Sequence, residues 1–142
     1  MRKRKGFTLV ELMMVAIIVA ILAAVAIPLM SGNKRRAYGT EAEAALGMVR
    51  SNLRVYLAEN NAYPTIAAGT LVESNVSGIA AGDLSGTYFS GPNYGISSAA
   101  AAYTVTCTWN VAGNTAPQAS AINTIVATTT IDEDGTFVRT GY

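Results

Sequence analysis

One carboxylate stands where carboxylates are costly. Glu11 interrupts the start of "FTLVELMMVAIIVAILAAVAIPLM", and no other charged residue occurs from Leu12 to Met30. The chain has no histidine and one cysteine, Cys107, which removes zinc clusters, Ser-His-Asp and Cys-His nucleophile systems and internal disulfides by inventory. Glu11 is therefore not read as an acid–base catalyst, and the chain reads as a non-enzyme. What remains for the carboxylate is charge pairing. An acidic residue at the centre of a membrane helix costs about 2.5–3.5 kcal/mol, less near an end, and an opposite charge a few ångströms away offsets that cost.

Three other groups carry chemistry-bearing side chains. Asp132, Asp134 and Gly135 echo part of an oxygen-ligand loop for calcium. A full site needs six or more oxygens, however, and a hairpin turn explains the same residues, so no metal ligand is assigned. Arg50 and Arg54 share a stripe with Glu43, either as a solvated face or as partners for carboxylates on an adjacent subunit. Cys107 alternates with Tyr103, Val105 and Trp109 on the apolar side of "AYTVTCTWNV" and is expected to be a buried structural thiol.

The elements that position Glu11 follow from the surrounding pattern. About 19 apolar residues from Leu12 to Met30 suffice to cross the hydrocarbon core as a helix. Arg2, Lys3, Arg4 and Lys5 ahead of it favour keeping that end in the cytoplasm, with the remainder emerging on the far side. Those four residues hold much of the positive charge; without them six basic face nine acidic side chains, so nothing indicates a specific nucleic-acid partner. A secretory signal peptide cut after Ala26 and a plain signal anchor are two readings of this segment. The run exceeds the usual ~7–15 residue apolar region of the former, and neither accounts for Glu11.

A third reading comes from fixed spacings. In "KGFTLVELMMVAIIVAILAAVAIP" a basic leader is followed by Gly6, aromatic Phe7, Glu11 four residues on, an unbroken apolar helix and Pro28. This resembles the class III signal of type IV pilins and of type II secretion pseudopilins. The resemblance implies cleavage after Gly6 by a prepilin peptidase, N-methylation of Phe7, no cofactor, and polymerisation into a helical filament. Glu11 would then lie one helical turn from the new amine on Phe7, paired with its own or a neighbouring subunit's, and would set subunit register. Gly6 and Phe7 are thus processing residues, and Phe7, Glu11 and Pro28 are assembly residues. Pro28 either ends the membrane segment or kinks a helix that continues; resumption of helical pattern downstream favours the kink.

Beyond it, Leu46, Val49, Leu53, Tyr56 and Leu57 recur at spacings of three and four, forming one apolar helix face. Gly39, Gly47, Ala42, Ala44 and Ala45 make the helix thin enough for close packing, and Asn60-Asn61 and Pro64 end it. Lys34-Arg35-Arg36 faces either lipid headgroups or acidic groups between subunits. Ile66 to Ser98 is expected to be an irregular loop with one short helix and a brief strand near Tyr88-Phe89. Tyr103 to Trp109 reads as a strand, and Thr124–Ile131 with Thr136–Arg139 as a hairpin turning on Asp132-Glu133-Asp134-Gly135. The expected architecture is α+β: residues 1–6 a leader, 7–30 a transmembrane assembly helix, 31–63 its amphipathic continuation, and 64–142 a head with a small antiparallel sheet.

The function expected from this reading is a structural subunit of a type IV pilus-like filament, anchored in the cytoplasmic membrane with its head outside and then carried into an extracellular pilus. Its other partners would be the prepilin peptidase and an assembly machinery. One alternative is the major pseudopilin of a type II secretion system, in a periplasmic pseudopilus. Another is a membrane-anchored periplasmic protein that never polymerises.

Overall fold

The computed structural model describes residues 6–141; the basic leader residues Arg2 to Lys5 lie outside them. Internal contacts divide the chain into two units, Met1–Arg35 and Arg36–Tyr142. One helix, α1 (Leu9–Asn60), contributes to both.

In the first unit the chain is helical from Leu9 and every described side chain is exposed. By length and composition this part of α1 can cross a membrane. It starts two residues later than the expected Phe7. The helix runs on through Pro28 instead of ending there. Proline cannot donate a backbone hydrogen bond, and the nearby Ser31 hydroxyl donates to the Pro28 carbonyl at 2.8 Å.

In the second unit, residues 36–60 of α1 pack on a five-stranded antiparallel sheet in the order β1 (Ile66–Leu71), β2 (Tyr94–Ala99), β3 (Ala102–Thr108), β4 (Thr128–Asp132), β5 (Phe137–Thr140). The α+β expectation holds. Gly39, Ala42, Leu46, Val49 and Leu53 are buried on one helix face. Tyr56 and Leu57, expected to share it, are only half-buried. Beneath the helix, Tyr103, Val105 and Cys107 of β3 and Trp109 just after it point inward as their alternation requires. Ile131 of β4, Tyr94 and Ile96 of β2, and Phe89 complete the floor. Trp109 meets Phe89 edge to face at 5.5 Å and Tyr38 of α1 at 6.2 Å.

The sheet is larger than the sequence suggests, because two strands lie inside the expected loop. β1, "IAAGTL", carries small residues and an irregular register, with Ile66 opposite Ser98 but Thr70 opposite Ile96. Gly69, at φ +78°, absorbs the irregularity. β2, "YGISSA", has weak strand formers but pairs on both sides, with β1 and β3, so partners supply what propensity lacks. Its hairpin to β3 turns on Ala100-Ala101, and the Tyr63 N–H donates to the Ala100 carbonyl at 3.1 Å. Tyr88 and Phe89 form no strand: their N–H groups donate to a helix carboxylate, Glu41. β4 begins at Thr128 and not Thr124, because residues 119–125 turn on local bonds such as Ile122 N–H to Ala119 carbonyl at 3.1 Å.

Candidate assembly site

Phe7, 80% exposed, precedes a reciprocal cap at the start of α1. The Thr8 N–H and the Thr8 hydroxyl each donate to Glu11 Oε2 at 2.8 Å, and the Glu11 N–H donates to the Thr8 hydroxyl at 3.3 Å. This is a capping box, in which a threonine and a glutamate three residues on satisfy orphan donors of the first turn. Negative charge there also faces the positive end of the helix dipole. The sequence reading assigned Glu11 only to the amine of Phe7. "TLVE" carries the capping signal in its own spacing, threonine followed three residues on by glutamate. In the intact chain Glu11 thus has a partner already, and the backbone of Phe7 is joined directly to that partner. Gly6 stands beside Phe7, with open space around its α-carbon.

Pro28 lies on the same helix, bracketed by exposed Ile27, Leu29 and Met30. Every large apolar side chain from Phe7 to Met30 is exposed. A soluble monomer does not leave so large a contiguous apolar surface uncovered. An apolar environment is what such a surface calls for.

In the second unit Glu43, Arg50 and Asp132 find partners within the chain. Glu43 pairs with Arg139 of β5. Arg50 Nη2 donates to the Asp134 carbonyl at 3.1 Å, and its guanidinium lies against Gly135, whose φ of +86° suits glycine. Asp132 Oδ1 accepts the Thr136 N–H at 2.8 Å, an Asx-type closure of the turn. Arginine therefore occupies the side of the acidic turn facing α1. Arg54 is exposed.

Two carboxylates matter that sequence reasoning did not single out. Glu41 Oε1 accepts from the Tyr88 and Phe89 N–H groups at 2.8 and 3.0 Å. Glu73 Oε1 accepts from Leu84 N–H at 3.2 Å. Together they tie the segment 84–89 to α1 and to the turn Val72–Ser74. For Glu41 the sequence signal is a glutamate on the otherwise apolar side of α1; Glu73 carries none. Cys107 is buried, as expected, and its thiol is pushed well above its ordinary range by burial. Burial likewise pushes up the Tyr94 hydroxyl, with Cys107 and Glu41 adding to it.

Residues 1–27 match the family described as the prokaryotic N-terminal methylation motif. The chain's first 27 residues carry that motif. The chain is also 37% identical over 68 residues to type II secretion system core protein G of Dickeya chrysanthemi, covering 48% of this chain and 44% of that protein. It is 39% identical over 69 residues to type II secretion system core protein G of Vibrio cholerae serotype O1, covering 49% and 47%. It is 41% identical over 71 residues to the type IV wide pilus major component PilA4 of Thermus thermophilus, covering 50% and 54%. The resemblance to pilins and pseudopilins holds, and the chain spans about half the length of the curated relatives it matches. No solved structure matches it.

Proposed function

We propose that this chain is a structural subunit of a type IV pilus-like filament, built by packing of its N-terminal helices after a prepilin peptidase cuts between Gly6 and Phe7. One observation carries this reading: a methylation-motif N-terminus continues into a helix whose large apolar side chains are all exposed through Met30. Cleavage replaces the Gly6–Phe7 amide by an amine carrying positive charge beside Thr8. The Glu11 carboxylate, released from Thr8 or shared with it, can then accept that amine from its own or a neighbouring chain. The apolar helix holds the precursor in the cytoplasmic membrane with the second unit outside, and the same surface then packs against other copies.

The reading as a pseudopilin of type II secretion has its own support in the relatives named core protein G. Both readings share processing and assembly, and differ in where the filament ends. Mass spectrometry of the mature N-terminus tests the shared part: a chain beginning at methylated Phe7 is expected. A chain beginning after Ala26, or one uncut, would return the protein to the class of non-polymerising membrane-anchored proteins. Surface imaging of shed filaments then separates pilus from pseudopilus.

A further inference from the structure

We propose that Lys34, Arg35 and Arg36 seat α1 on the phosphates of anionic lipid, in the leaflet opposite the leader, and so fix how far the helix emerges from the membrane. This rests on the membrane-anchored reading above and names the lipid chemistry that reading leaves open. Lys34 and Arg35 close the first unit, Arg36 opens the second, and all three are exposed. None has a carboxylate partner among the described residues. The acidic residues on either side of them along α1 are already engaged. Glu41 accepts from the Tyr88 and Phe89 N–H groups, and Glu43 pairs with Arg139. Glu11 accepts from Thr8 and lies about 35 Å along the helix from Lys34.

Because α1 runs on through Pro28, position along the chain translates into depth. Leu12 to Met30 covers about 28 Å at 1.5 Å per residue, close to the ~30 Å of a bilayer's hydrocarbon. Lys34 and Arg35 then lie about 6–8 Å past its edge, within the headgroup layer, where ammonium and guanidinium groups meet phosphate oxygens. Consecutive helical residues point about 100° apart, so the three cations fan over about 200° of the circumference. A carboxylate on one neighbouring helix meets one sector of that fan; a bed of headgroups meets all of it. Basic residues on the far side also run against the preference that keeps them in the cytoplasm. The cut proposed after Gly6 removes Arg2 to Lys5 and leaves this triplet as the only basic side chains beside the span. Anionic phosphate is the partner that suits them there.

The test is native mass spectrometry of the full chain in detergent, with phosphatidylglycerol and phosphatidylcholine added in equal amounts. The chain should retain phosphatidylglycerol in preference to phosphatidylcholine. Lys34→Gln, Arg35→Gln and Arg36→Gln should each lower that preference about fivefold, the scale of one basic residue at an anionic surface, and the triple replacement should lower it further. Any share taken by Arg2 to Lys5 is common to all these chains, and equal helix content by circular dichroism shows that the replacements leave α1 folded. Arg54→Gln, exposed further along α1, should leave the preference unchanged, and inorganic phosphate should not displace the lipid. A triple variant that keeps the preference, an equal loss in Arg54→Gln, or displacement by inorganic phosphate overturns the headgroup seat and leaves the anchor reading standing. A kept preference with a lower filament yield also overturns it, and assigns the triplet to carboxylates of a second copy. A natural chain that does not sediment with membranes removes the anchor reading as well.

Discussion

Glu11 accepts two hydrogen bonds from Thr8, one from the backbone N–H and one from the hydroxyl, each at 2.8 Å. The carboxylate is therefore both a helix cap and the candidate partner of the Phe7 amine, and substitutions can separate the roles. Glu11→Gln keeps an acceptor for Thr8 but loses the charge; Glu11→Val loses both. Both variants should insert in the membrane as the natural chain does, because removing a charge only eases insertion. Filament yield should fall strongly in both if charge pairing sets register. Fractionation of membranes beside quantitation of sheared filaments checks this, and wild-type yield from Glu11→Val would refute the register role.

Glu41→Ala should loosen the segment 84–89. Two part-buried N–H groups, those of Tyr88 and Phe89, lose their acceptor, at about 1–3 kcal/mol for an orphaned donor. We expect about 2 kcal/mol lower stability of the detergent-solubilised chain in thermal unfolding, and earlier proteolysis between Leu84 and Ser90. An unchanged cleavage pattern would show that Glu41 does not hold this loop.

Leu46 is fully buried at the middle of the helix face on the sheet. Leu46→Ala removes several methyl and methylene groups from a packed core, at about 2–5 kcal/mol. The expected signature is a lower unfolding midpoint without loss of membrane insertion, read by circular dichroism and by fractionation. Thr104→Ala, on the opposite face of the sheet, is the contrasting substitution and should shift stability by less than about 0.5 kcal/mol.

Alkaline pH should weaken the fold through Cys107 and Tyr94. Burial raises both groups above their ordinary values of 9.0 and 10.0. Their neutral forms are favoured in the folded chain, so their contribution is complete below the ordinary values. Above about pH 9 the unfolded chain releases the Cys107 proton while the folded chain keeps it, and stability falls as pH rises, with Tyr94 adding to the loss above about pH 10. The slope approaches about 1.4 kcal/mol per pH unit per group. Unfolding midpoints from pH 7 to 10.5 check this, and Cys107→Ser should flatten the first part of the decline.

How much of this was legible depended on whether a signal was local. Gly6, Phe7, Glu11 and Pro28 stand at fixed spacings along one helix, and the apolar alternation of β3 is complete within seven residues, so both could be read directly. β1 and β2 could not: Ala, Gly and Ser dominate them, and Ala100-Ala101 gives no turn signal. Only pairing with β3 makes them strands. Arg50 and Glu43 could be placed on a helix stripe but not matched to Asp134 and Arg139, because those partners lie more than eighty residues away. Thr8 is legible as well, because its capping partner Glu11 stands only three residues away.

The burial of Gly39, Ala42, Leu46, Val49 and Leu53 along successive turns of α1 has a mechanical consequence. Tension drawn along the axis of residues 36–60 loads all of those contacts together, in shear, instead of peeling them one at a time. Pulling on this helix should therefore meet its greatest resistance along its length and its least when a turn is lifted away from the sheet.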